Sequence, residues 1–111
     1  MTSQEDRERF APLFGFWPCL GCGGWNNDTG ICRTTSELPD FCDIKGPYFG
    51  PACEELLNAN AVVNRFPFGN SFYWVWHFDD CVIGTWTVED DSLGRCTMLA
   101  LEKKREMDAK K

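Results

Sequence analysis

Seven cysteines and a single histidine carry most of the chemistry open to this 111-residue chain. Five of the cysteines, Cys19, Cys22, Cys32, Cys42 and Cys53, fall between Gly15 and Cys53. Cys81 and Cys96 lie far downstream. The spacing admits three chemistries. A disulfide framework drawn from all seven accounts for the most cysteines, with one left unpaired, bonded to another chain or serving as a ligand. Each bond would remove on the order of 2–4 kcal/mol of denatured-chain freedom. A zinc site is the second. Cys19-Leu20-Gly21-Cys22 has the two-residue gap of a zinc knuckle, and His77 with Cys81 would complete a Cys3His set. The third is a redox dithiol at Cys19 and Cys22. It needs a helix after the motif to acidify the thiol, and Gly21, Gly23 and Gly24 argue against one.

Few other residues group into a site. Asn27-Asp28-Thr29 is a glycosylation acceptor triplet in a turn. Asp79-Asp80 and Glu89-Asp90-Asp91 lack the spacing of a calcium loop and read as solvated turns. One histidine without a partnered nucleophile argues against hydrolysis. The formal charge is −6, from 17 acidic and 11 basic residues. The basic excess is confined to residues 102–111, so the body has no clustered positive face for nucleic acid.

Between Gly15 and Cys53, seven of the ten glycines and four of the six prolines erase any helix or strand period. A loop of that length needs cross-links to stay ordered. Ahead of it, residues 1–9 read as a polar arm or frayed helical turn. Phe10 to Trp17 follows as an extended apolar segment, interrupted by Pro12 and Gly15. After it, the 3.6-residue spacing of Cys53, Leu56, Leu57 and Ala61 predicts a short helix over about 52–64, ended by Pro67 and Gly69.

Phe72 to Val88 is the strand-forming stretch. Alternation places Trp74, Trp76, Phe78, Val82, Trp86 and Val88 on one face. Tyr73, Val75, His77, Cys81, Ile83, Thr85 and Thr87 take the other. Neither face is polar, which suits a strand covered on both sides. Asp79-Asp80 allows either a bend or two strands. The apolar run 95–101 is expected to return as a partner strand, making a hairpin or small sheet over about 72–101. Cys81 and Cys96 would not face each other across it, so each is expected to reach back to the cysteine-rich half. A short helix would close the chain over 102–111.

The expected fold is therefore one small, cysteine-rich α+β domain with a disulfide-stapled, irregular N-terminal half. No run approaches the ~20 apolar residues of a membrane span. The expected role is non-enzymatic: an accessory subunit or protein-interaction module in a larger assembly, a membrane-associated one included. Phe10, Phe14, Phe16, Trp17, Trp74, Trp76 and Trp86 would supply core and contact surface. Other protein subunits are the expected partners. No cofactor is expected unless the zinc alternative holds. A disulfide framework also predicts an oxidising compartment: an organelle lumen, the intermembrane space, the endoplasmic reticulum or exterior, or the periplasm. Its targeting segment would lie outside this chain.

Overall fold

The computed structural model describes residues 3–80 and 84–109. Helix α1 (Gln4–Phe10) runs into a 3₁₀ turn (Ala11–Phe14), then a ribbon of β1 (Trp17–Pro18) and β2 (Trp25–Asn26). A second 3₁₀ turn (Thr35–Glu37) leads to α2 (Phe49–Asn58). The strands β3 (Val62–Phe68), β4 (Ser71–Asp80) and β5 (Gly84–Asp90) follow, and α3 (Leu93–Ala109) closes the fold. The three long strands form one antiparallel sheet in the order β3-β4-β5. This is a small α+β fold, as the sequence predicts. Among the described residues, no helix is long and apolar enough to cross a membrane.

Helix α3 is the axis of the molecule and separates two apolar clusters. On one side Met98 and Leu101 pack with Phe10, Phe16, Leu38, Phe41 and Ala52. On the other, Cys96 and Ala100 pack with Leu56, Ala61, Trp76 and Phe78. Trp76 is 1% exposed, and its indole N–H donates to Thr97 Oγ1 at 2.9 Å. The Thr97 hydroxyl donates in turn to the Leu93 carbonyl at 2.8 Å, so the one polar group in this core is satisfied.

The run 95–101, expected as a strand, is instead the first half of α3. The Ser92 hydroxyl accepts from Arg95 N–H and its carbonyl from Cys96 N–H, which starts the helix. Burial on two sides leaves Arg95 and Thr97 as the only polar residues of the run, too few to show a helical period. Gly94 is required there, because a Cβ would collide with the Cys42 carbonyl.

The missing partner strand is β3. Its Gly69-Asn70 turn joins Phe68 directly to Ser71. Gly69 has φ of 60° and Asn70 does not follow it to positive φ, the pattern of a type II′ hairpin turn. Pro67 is tolerated because β3 is an edge strand. Helix α2 therefore stops earlier than predicted, in a Schellman cap: Ala61 N–H bonds Leu56 O, Asn60 N–H bonds Leu57 O, and Asn60 takes φ of 63°.

Of the two expectations for residues 1–9, a polar arm or a frayed helical turn, the helical one holds from Gln4, and the helix is tied to the body. Ser3 caps α1, Arg7 donates to the Leu38 carbonyl at 2.9 Å, and Asp6 meets Arg95 at 3.0 Å. Only the Trp74, Trp76 and Phe78 face of β4 is covered, against the expected cover on both faces. Opposite it, β3 leaves Val62, Phe66 and Phe68 exposed.

The disulfide framework is not found among the described residues. None of Cys19, Cys22, Cys32, Cys42, Cys53 and Cys96 is in a disulfide. Cys96 does not reach the N-terminal half. Its thiol is fully buried and is shared between the Trp74 and Val88 carbonyls, at 3.3 and 3.4 Å. Cys81 lies outside the described residues.

Candidate metal centre

A knuckle between β1 and β2 gathers three of the cysteines. Trp17 pairs with Asn26 and Pro18 with Trp25. Between them the chain turns tightly: Cys19 N–H bonds Gly24 O at 2.8 Å, and Gly23 N–H bonds Cys19 O at 3.0 Å. Gly23 sits at φ of 73°, a conformation glycine adopts without strain. The turn sets Cys19 and Cys22 side by side.

A second turn over Asn27–Gly30 then sends the chain back. Gly30 N–H bonds Asn27 O, and the Asn27 side chain accepts from the Thr29 amide and hydroxyl. Trp25 and Arg33 exchange two backbone hydrogen bonds of 2.7 Å, which brings Cys32 beside the first pair. Gly24 permits this approach, since a Cβ there would strike the Arg33 carbonyl.

The three sulfurs lie within 4.8 Å of one another, with Cys19 and Cys32 at 3.4 Å. In a tetrahedral site with bonds of about 2.3 Å, ligand sulfurs stand about 3.8 Å apart. The separations, none above 4.8 Å and one of 3.4 Å, are compatible with that value. Cys19 is half-buried, and Cys22 and Cys32 face solvent.

The electrostatics are those of a shared proton. The Cys32 thiol donates to Cys19, helped by the backbone N–H and thiol of Cys22 and by Gly21. Together they bring Cys19 down to about 7. Cys32, as the donor, is pushed up to about 12. The two thiols titrate as a unit. Cys53 and Cys96 differ: burial raises both, Cys96 to about 11, and both pack into the second apolar cluster.

Sequence reasoning placed Cys19 and Cys22 correctly together but missed Cys32 as their third partner. His77 stands mid-sheet, opposite Val62 and Thr87, and is not in the thiol group. A readable signal existed: Gly23-Gly24 after the first pair and an Asn-Asp-Thr-Gly turn before Cys32 describe a chain that doubles back twice.

The aromatic contact residues also sort themselves. Phe10, Phe16 and Trp76 are core, Phe14, Trp74 and Trp86 are half-buried, and Trp17 is 45% exposed. Two exposed aromatics lie outside the expected contact segments, namely Phe66 and Phe68, and Phe72, which begins one of them, is exposed as well. Comparison of the chain with protein-family models, curated proteins and solved structures finds no match.

Proposed function

We propose that this chain is a non-enzymatic protein-interaction module whose knuckle is held by a zinc ion on Cys19, Cys22 and Cys32. The observation that carries this reading is the convergence of three thiols, from two separate turns, at ligand spacing. Thiolates select zinc or other soft ions, and zinc adds no redox chemistry of its own. An acidic Cys19 fits as well, since a ligand cysteine must shed its proton. Zinc bound here would fix the turn without electron transfer. The fourth position is left to water or an outside donor.

The interaction half of the reading rests on the uncovered sheet face and its exposed Phe66 and Phe68. The groove between α2 and α3 supports a structural role for its charges, because Glu55 there is already paired with Arg105 and Lys104.

A second reading, a small thiol–disulfide redox protein, is favoured by the lowered Cys19 pKa. Against it, strand β2 rather than a helix follows the motif.

Elemental analysis of protein purified with reductant, paired with thiol alkylation and mass spectrometry, separates these readings. One zinc per chain is expected, lost in Cys19→Ser, Cys22→Ser or Cys32→Ser and kept in Cys53→Ser. Metal-free protein with a reversible Cys19–Cys32 disulfide would favour the redox reading. Multiple bonded cysteines without metal would restore the disulfide framework and its oxidising compartment.

A further inference from the structure

Strand β5 stops short of β4. Their pairing ends at Trp74–Asp90, whereas β4 begins at Ser71, so Ser71, Phe72 and Tyr73 project past the end of β5. On their other side these three residues pair with Phe68, Pro67 and Phe66 of β3. Beyond Asp90 the chain turns away into α3 at Leu93. The overhang thus presents a short backbone edge with no strand beside it.

A cleft of about 510 Å³ opens at this edge, lined by Phe68 and Tyr73 from one face of the sheet, by Phe72 from the other, and by Glu89, Asp90 and Asp91. Phe68 is 75% exposed and Phe72 49% exposed. The Phe72 ring is already occupied by a cation of this chain, the Arg65 guanidinium, 4.5 Å from its centroid, which leaves Phe68 and Tyr73 as the open rings. Of the three carboxylates, Asp90 is paired with Arg95 at 2.8 Å. Glu89 and Asp91 form no ion pair among the described residues. A side-chain hydrogen bond shared with Asp90, and after it the charge of Asp90, raise the Asp91 pKa.

We propose that this cleft docks an extended, arginine- or lysine-bearing peptide segment of a partner protein. The segment lies along the free edge of Ser71–Tyr73 and sets its cationic side chains against Glu89 and Asp91. Main-chain bonds to an open edge supply affinity without sequence demand. The open rings and the carboxylates then select for cations, over apolar area and through cation–π contact. This names the partner of the interaction module and rests on that reading. Peptide affinity and metal content are separate readouts, so either can fail without the other.

The test is titration of the ¹⁵N-labelled protein, as purified with reductant, with an acetylated peptide alternating arginine and valine, and with its glutamate counterpart. Amide shifts confined to residues 71–73 and 89–92 are expected for the arginine peptide alone. Glu89→Gln with Asp91→Asn should weaken it about fivefold, the size of two partly exposed charge contacts, with an unchanged circular dichroism spectrum. Failure to bind at about 1 mM, equal binding of the glutamate peptide, or full affinity in the double variant would each overturn the assignment. So would concentration-dependent dimerisation that covers the same edge, since the occupant would then be a second copy.

Discussion

The knuckle and the helix-on-sheet body solve the same problem by different means. From Trp17 to Arg33 no residue is fully buried, and the ribbon touches the body through Trp25 and through Arg33 over the Phe16 ring. The body buries Phe10, Leu56, Trp76, Met98 and Leu101 almost completely. Burial at roughly 25 cal/mol per Å² of apolar surface holds the body together. A segment with so little to bury needs a covalent or coordinate cross-link to be equally ordered. The knuckle is therefore where three thiols meet, while the body's Cys53 and Cys96 serve as small apolar residues.

The largest effect should come from the body. Trp76→Ala removes the central ring of the second cluster and its bond to Thr97, and is expected to cost about 3–5 kcal/mol. Chemical denaturation followed by far-ultraviolet circular dichroism would measure it as a lowered midpoint.

Next comes the knuckle. Cys32→Ser, or chelation of the wild-type chain, should abolish stoichiometric zinc and release amide protection over residues 17–33. The body's midpoint should hardly move. A cooperative loss of the whole fold on chelation would break the comparison, because it would make the metal a support of the body.

Gly24→Ala should act in the same direction but less strongly. A Cβ there would push Arg33 and Cys32 away from the first two thiols, so zinc affinity should fall by about 10–100-fold, as for other shell perturbations. Gly50→Ala, where a Cβ meets nothing within 4 Å, is the matched control.

The smallest effect is one of pH in the metal-free chain. A thiol whose pKa is lower in the fold than in the unfolded chain favours the fold when ionised. For Cys19 that contribution is full above 9.0 and is lost as pH falls through about 7. Cys32 runs oppositely, contributing fully below 9.0 and losing this as pH rises towards about 12. Iodoacetamide should therefore label one thiol of the trio with a midpoint near 7. Cys96, pushed up to about 11 by burial, should stay unlabelled until the protein unfolds.

Much of the body was legible in the sequence because its pattern is local. That Trp74, Trp76, Phe78, Trp86 and Val88 share a face follows from period-2 alternation, whereas the pairing of β4 with β5 does not, since one bent strand and two strands fit the stretch equally well. Helix α2 was legible from its apolar spacing and Pro51. Strand β3 was not, because Pro67 and Gly69 were read as helix stops rather than as an edge position and a hairpin turn. The first half of α3 was not legible for the opposite reason: burial on two sides leaves Arg95 and Thr97 as the only polar residues of 95–101, too few to reveal its period.

The site divides along the same line. The sequence alone pairs Cys19 with Cys22, because two intervening residues are enough to bring two thiols onto one turn. It also determined that the segment around them could not rely on a core. Which residue joins that pair follows from long-range packing. His77 and Cys32 are both plausible ligands by type. His77 is held in the middle of the sheet, and Cys32 is carried back by two turns and the Trp25–Arg33 backbone pair. Likewise, the strand sequence determined that aromatic faces would exist, and the placement of α2 and α3 on one side alone decided which became core and which became surface. Spacing along a chain fixes neighbours a few residues apart, and packing decides the rest.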